Sequence, residues 1–101
     1  MGLGEDIMWF ITVAKDSETT RCVGFFENYT DAVNRIIHNS FDISEDGYYP
    51  YAILEYIPEG IYQYSDDRIG YVFSKELGEY VRLSLKDLPQ WISKGAGFAI
   101  G

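Results

Sequence analysis

Asn28-Tyr29-Thr30-Asp31-Ala32-Val33-Asn34-Arg35-Ile36-Ile37-His38-Asn39 is the stretch on which the fold turns. Tyr29, Ala32, Val33, Ile36 and Ile37 recur at the i, i+3, i+4, i+7, i+8 spacing of one helical face. Asn28 stands where an N-cap belongs, and Asp31 three residues on completes a relative of the capping box. Asn39 and Ser40 are suitable stop residues. The spacing predicts one amphipathic helix over about 29–38. Its opposite face (Thr30, Asn34, Arg35, His38) is polar, so the apolar stripe must lie on something else.

On either side of this helix the period changes from 3.6 to 2. Met8–Lys15, MWFITVAK, is apolar or small at nearly every position and predicts a central strand covered on both faces. Arg21–Phe26, RCVGFF, predicts its hairpin partner, joined by a polar loop of about five residues at Asp16–Thr20. Beyond the helix, Phe41–Tyr49 reads as a loop and Pro50–Ile57 as a third strand closed by Pro58-Glu59-Gly60. Ile61–Tyr64 reads as a short extended piece cut off by Ser65-Asp66-Asp67. Ile69–Ser74 and Glu79–Leu85 form a second hairpin, with Gly78 where a left-handed residue is required. Asp87 can cap a short helical turn with Leu88, Trp91 and Ile92 as its apolar face and Pro89 near its start, and Phe98-Ala99-Ile100 reads as a last short strand. Two hairpins, one good helix and isolated strands predict an α+β domain with a mostly antiparallel sheet of five to six strands.

The chain has 101 residues, enough for one domain over 8–101 with residues 1–7 as an N-terminal extension; Met8 offers a second start. The run Ile7–Ile11 follows Glu5 and Asp6, where a secretory signal needs positive charge, and is too short to span a bilayer. A cytoplasmic location is therefore expected, in keeping with a single cysteine. Sixteen acids against eight bases give a net charge of −8. Such a surface opposes direct binding to nucleic acid or anionic lipid, both of which need a positive face, and favours a basic protein partner.

MWFITV at Met8, the helix opening NYTDAV, the segment YAILEYIPEGIY and the ending GFAIG together make the chain resemble an uncharacterised family of short proteins from Gram-positive gut bacteria, their phages and mobile elements. The resemblance spans Met8 to Gly101. It implies an accessory-gene setting and brings no activity, cofactor or catalytic residue with it.

The most unusual segment is Asp42–Asp67. It holds seven acids (Asp42, Glu45, Asp46, Glu55, Glu59, Asp66, Asp67) and six tyrosines (Tyr48, Tyr49, Tyr51, Tyr56, Tyr62, Tyr64), with no lysine or arginine. Carboxylates can occupy phosphate sites of a basic groove while tyrosines add rigid, amphipathic contact area. The expected partner-binding residues are Asp42, Glu45, Asp46, Tyr48, Tyr49, Glu55, Glu59, Tyr62, Tyr64, Asp66 and Asp67. A solvated sheet face with cross-strand tyrosines would give the same pattern.

Signals for other chemistry are weak. Asp42-Ile43-Ser44-Glu45-Asp46-Gly47 matches the first half of a calcium loop, but Ile53 falls where the bidentate acid belongs and Pro50 interrupts the second half. Asp46-Gly47 is more simply a turn in which the acid bonds nearby backbone. Cys22 has only His38 as a potential base, and the expectation for it is a small core residue. No phosphate loop or dinucleotide fingerprint is present. The expectation is a non-enzymatic interaction protein, monomeric or homodimeric, without metal or cofactor. It would act as an accessory inhibitor occupying the basic nucleic-acid site of a host defence protein, in the manner of an anti-CRISPR or anti-restriction mimic. The alternative is a small-ligand, nucleotide-like binder that uses its aromatic surface, though the few bases are scattered.

Overall fold

The computed structural model of the chain describes residues 7–58 and 68–93. The strand read at Phe98–Ile100, the piece at Ile61–Tyr64 and residues 1–6 of the extension lie outside them. Among the described residues five strands, β1 (Ile7–Asp16), β2 (Thr19–Phe26), β3 (Tyr51–Pro58), β4 (Arg68–Ser74) and β5 (Glu79–Leu83), form one sheet in the order β2-β1-β3-β4-β5, antiparallel throughout. The helix α1 (Tyr29–Ile37) lies on one face and a short helix α2 (Gln90–Ser93) on the other. The fold is therefore the α+β arrangement that the sequence predicts. Among the described residues no helix is long and apolar enough to cross a membrane.

The local signals act as their chemistry requires. The Asn28 side chain accepts a hydrogen bond from the Asp31 N–H at 3.1 Å, and Asn39 leaves the helix in the left-handed conformation. The first hairpin is tighter than a five-residue loop. Asp16 pairs with Thr19 across a two-residue turn, because the Asp16 carboxylate accepts from the N–H groups of Glu18 and Thr19 and closes the connection itself. In the second hairpin Gly78 has φ 68°, the left-handed position expected there.

Alternation along the strands divides the core in two. Ile11, Val13, Ala52, Leu54, Tyr71 and Tyr80 pack with Ala32 and Ile36 of α1. Ala14 and Ile53 point the other way and pack with Leu88 and Ile92 around α2. Strand β1 is thus covered on both faces and lies between β2 and β3, as its unbroken apolar run predicts. Tyr29, although on the apolar stripe, stays 39% exposed and sets its ring edge-on against Trp9.

Gly70 makes the second layer possible. A Cβ at this position would overlap the Leu88 side chain, which descends directly onto the β4 backbone. Gly70→Ala should therefore cost about 1–3 kcal/mol through overpacking. In the Leu88→Ala background the same change should cost much less. Urea titrations of the four proteins check this, and equal costs in both backgrounds would contradict the packing described.

Candidate functional site

The segment from α1 to β3 is a compact series of turns. Backbone bonds from Asp42 N–H to Asn39, Glu45 N–H to Asp42 and Tyr48 N–H to Glu45 close three successive reverse turns. Five non-glycine residues, Asn39, Phe41, Asp42, Glu45 and Asp46, have φ between 48° and 59°, and Gly47 follows at 85°. Asn and Asp tolerate this region because their short polar side chains can bond the local backbone, an option the side chains of Phe41 and Glu45 lack. Residues in such conformations cost of order 1–3 kcal/mol each and persist only where the surroundings enforce them.

The enforcement is visible. Asp42 Oδ1 accepts from the Asp46 N–H at 3.1 Å, the Ser44 hydroxyl at 3.2 Å and the Asn39 side-chain amide at 3.3 Å. Asn39 Oδ1 in turn accepts from the Ser44 N–H at 2.9 Å, and the buried Ser44 hydroxyl accepts from Gly47. The loop is tied to the sheet by the Tyr80 hydroxyl, which donates to the Tyr49 carbonyl at 2.7 Å, and by Phe73 N–H, which donates to Pro50. Burial, and then the nearby Asp42 charge, push the Tyr80 phenol far above its ordinary range, so it remains a donor. The acid that bonds the backbone here is Asp42. Asp46, expected to do so, instead occupies the positive-φ Asp-Gly turn itself.

The network has a pH signature. The Asp46 N–H foremost, with the Asn39 amide and the Ser44 hydroxyl, holds the Asp42 carboxyl below its ordinary 3.8. A depressed folded value means that this carboxylate supports the loop fully above 3.8, and the support disappears as pH falls through the lower folded value. The Asp46 and Ser44 amides should keep their protection from hydrogen exchange until the pH is below 3.8, then lose it while the β1 and β3 amides remain protected. Loss of Asp46 protection already above that pH would show that Asp42 does not hold the loop.

The structure brings together only part of the expected binding set. Asp42, Glu45, Asp46, Tyr48 and Tyr49 share this loop. Glu59, Tyr62, Tyr64, Asp66 and Asp67 lie outside the described residues. Glu55 is a correction: it is fully buried in β3 and pairs with the buried Arg68, so it belongs to the interior and offers nothing to a partner. Nor is the loop uniformly negative. Glu45 is paired with Arg21 of β2, Lys15 Nζ lies 4.7 Å from the Tyr48 ring centre, and Lys75 shares with Asp42 and Asp46 a hollow of about 400 Å³.

Phe41 is the surface feature missed in the sequence. It is 90% exposed, the most exposed large apolar residue among those described, and it stands beside the loop acids. The only prior signal was its place directly after the helix stop, where a large side chain has no core to enter. Cys22 is a second correction, since it is exposed on the edge strand β2 and not in the core. His38 lies beside Glu79 of β5, at the opposite edge of the sheet. Among the described residues no three histidine, cysteine or acidic side chains converge to hold a metal. Compared with protein-family models, with curated proteins and with solved structures, the chain matches none.

Proposed function

We propose that this chain is a small acidic interaction protein that occupies a basic, nucleic-acid-binding site on a partner, with the loop 39–49 as its contact. The observation that carries the reading is the strained loop itself. Five non-glycine residues are held at positive φ by a dedicated hydrogen-bond network, and the result is the display of Phe41, Glu45, Asp46 and Tyr48 on the outside. Strain of this kind gathers at binding and switch sites. The pattern also suits a hot spot, an aromatic anchor with charge around it. The net charge of −8 would steer the molecule toward a positive surface. An accessory inhibitor of phage or mobile-element origin, acting on a host defence nuclease, is the setting that the family resemblance favours.

The test is competition. A basic defence nuclease that binds the protein should release its DNA or RNA as the protein is added. Replacing Glu45 and Asp46 by lysine should slow association and reduce its salt dependence, whereas Phe41→Ala should speed dissociation. Added salt should weaken the native complex, because the Debye length falls from ~10 Å at 0.1 M to ~3 Å at 1 M. A ternary complex with nucleic acid, indifferent to the lysine reversals, would refute the reading.

A further inference from the structure

A second site lies on the other side of Phe41. Strand β2 carries a bulge: Ile11 pairs with Gly24 and Thr12 with Cys22, so Val23 is the additional residue, and it packs on the helix-side core. With Ile11 and Ile43 it floors an open cleft of about 260 Å³. The rim is Phe26, Phe41 and Arg35, with Ser40 completing the lining. Arg35 reaches both rings, its guanidinium carbon 5.7 Å from the Phe26 centroid and 5.3 Å from that of Phe41. A guanidinium placed over aromatic faces keeps its in-plane N–H donors for another partner. No ion pair among the described residues involves Arg35, and neither Arg35 nor Ser40 forms a side-chain hydrogen bond among them.

We infer that this cleft binds a small apolar monocarboxylate, its tail on Ile11, Val23 and Ile43 and its carboxylate on the Arg35 guanidinium and the Ser40 hydroxyl. The lining is apolar apart from these two groups, which are donors with no carboxylate opposite them. The volume lies just below the ~300–1,000 Å³ of drug-sized pockets, so the ligand is a short aliphatic or aromatic acid. One arginine in a protein of net charge −8 suits a monoanion and disfavours phosphate or a dicarboxylate. The nearest loop acid in sequence, Asp42, has its carboxylate turned onto Asn39, Ser44 and Asp46. The site shares Ser40, Phe41 and Ile43 with the proposed contact loop but uses none of that loop's acids, so either reading can fail without the other.

The experiment is an amide-resolved NMR titration of the full chain with phenylacetate and hexanoate, set against phenylacetamide, hexanamide and succinate. Saturable shifts at Val23, Phe41 and Ile43 are expected with the two monocarboxylates. Binding of the neutral amides should be about tenfold or more weaker, the worth of one hydrogen bond to a charged group. Arg35→Gln should bring the acids down to the level of the amides while the protein stays folded, its melting temperature lowered by only about 2–8 °C. Should that variant not fold, the acid–amide comparison on the native chain decides alone. Shifts that never saturate, that appear away from these residues, or that are equal for acids and amides would overturn the site.

Discussion

Arg68→Met should lower the unfolding free energy by about 3–5 kcal/mol, the cost of leaving one member of a buried ion pair without its counter-charge. Arg68 is 6% exposed and Glu55 fully buried, and the two face each other in register across β4 and β3. The Arg68 Nε and Nη2 atoms lie 3.2 and 3.1 Å from Glu55 Oε2, and Nη1 donates to the Ile92 carbonyl at 2.7 Å. One side chain therefore neutralises a buried charge and fastens α2 to the sheet. Adding Glu55→Leu to Arg68→Met should recover much of the loss, because apolar replacement of a whole buried pair is often neutral or stabilising. Urea unfolding of the two single variants and the double variant closes the cycle. A loss below about 1 kcal/mol for Arg68→Met would place the pair among solvent-screened surface bridges.

Ile36→Ala should be the other severe change, at about 2–5 kcal/mol. Ile36 is fully buried where α1 meets Ile11, Leu54 and the tyrosines of β4 and β5. The adjacent Arg35 makes a useful contrast. It flanks the rings of Phe26 and Phe41 at the surface, so Arg35→Ala should cost only about 0.5–1 kcal/mol. Equal losses for the two would mean that the helix is rotated from the phase described.

What could be read from the residues is what neighbours in sequence decide. The Asn28 cap, the Ala32/Ile36 stripe, the Asn39 exit and the Gly78 turn each depend on groups within a few positions, and each is found where it was expected. The burial of Glu55 is hidden from the sequence for the opposite reason. Its burial depends on Arg68 arriving opposite it in β4, and no local pattern specifies that register. The exposure of Cys22 follows likewise from strand order, since β2 is an edge only because β3 takes the other side of β1. Among the candidate site residues, the clustering of Asp42, Glu45, Asp46, Tyr48 and Tyr49 was legible as sequence proximity. The positive φ of Phe41 was not, because a phenylalanine adopts it only under constraint from the Asp42 network and the Tyr80 anchor.

The position of β1 between β2 and β3 also predicts an order of events during folding. Its pairing with β2 crosses a two-residue turn, whereas its pairing with β3 must wait until α1 and the left-handed loop have carried the chain back over the sheet. The two hairpins can form on the ~1–10 μs scale of isolated hairpins, but the central β1–β3 seam pays the entropy of closing everything between them. The rate-limiting barrier should therefore be governed by that seam. In stopped-flow folding and unfolding kinetics, truncating Leu54 in β3 should slow refolding, while loosening the Asp42 loop should mainly hasten unfolding.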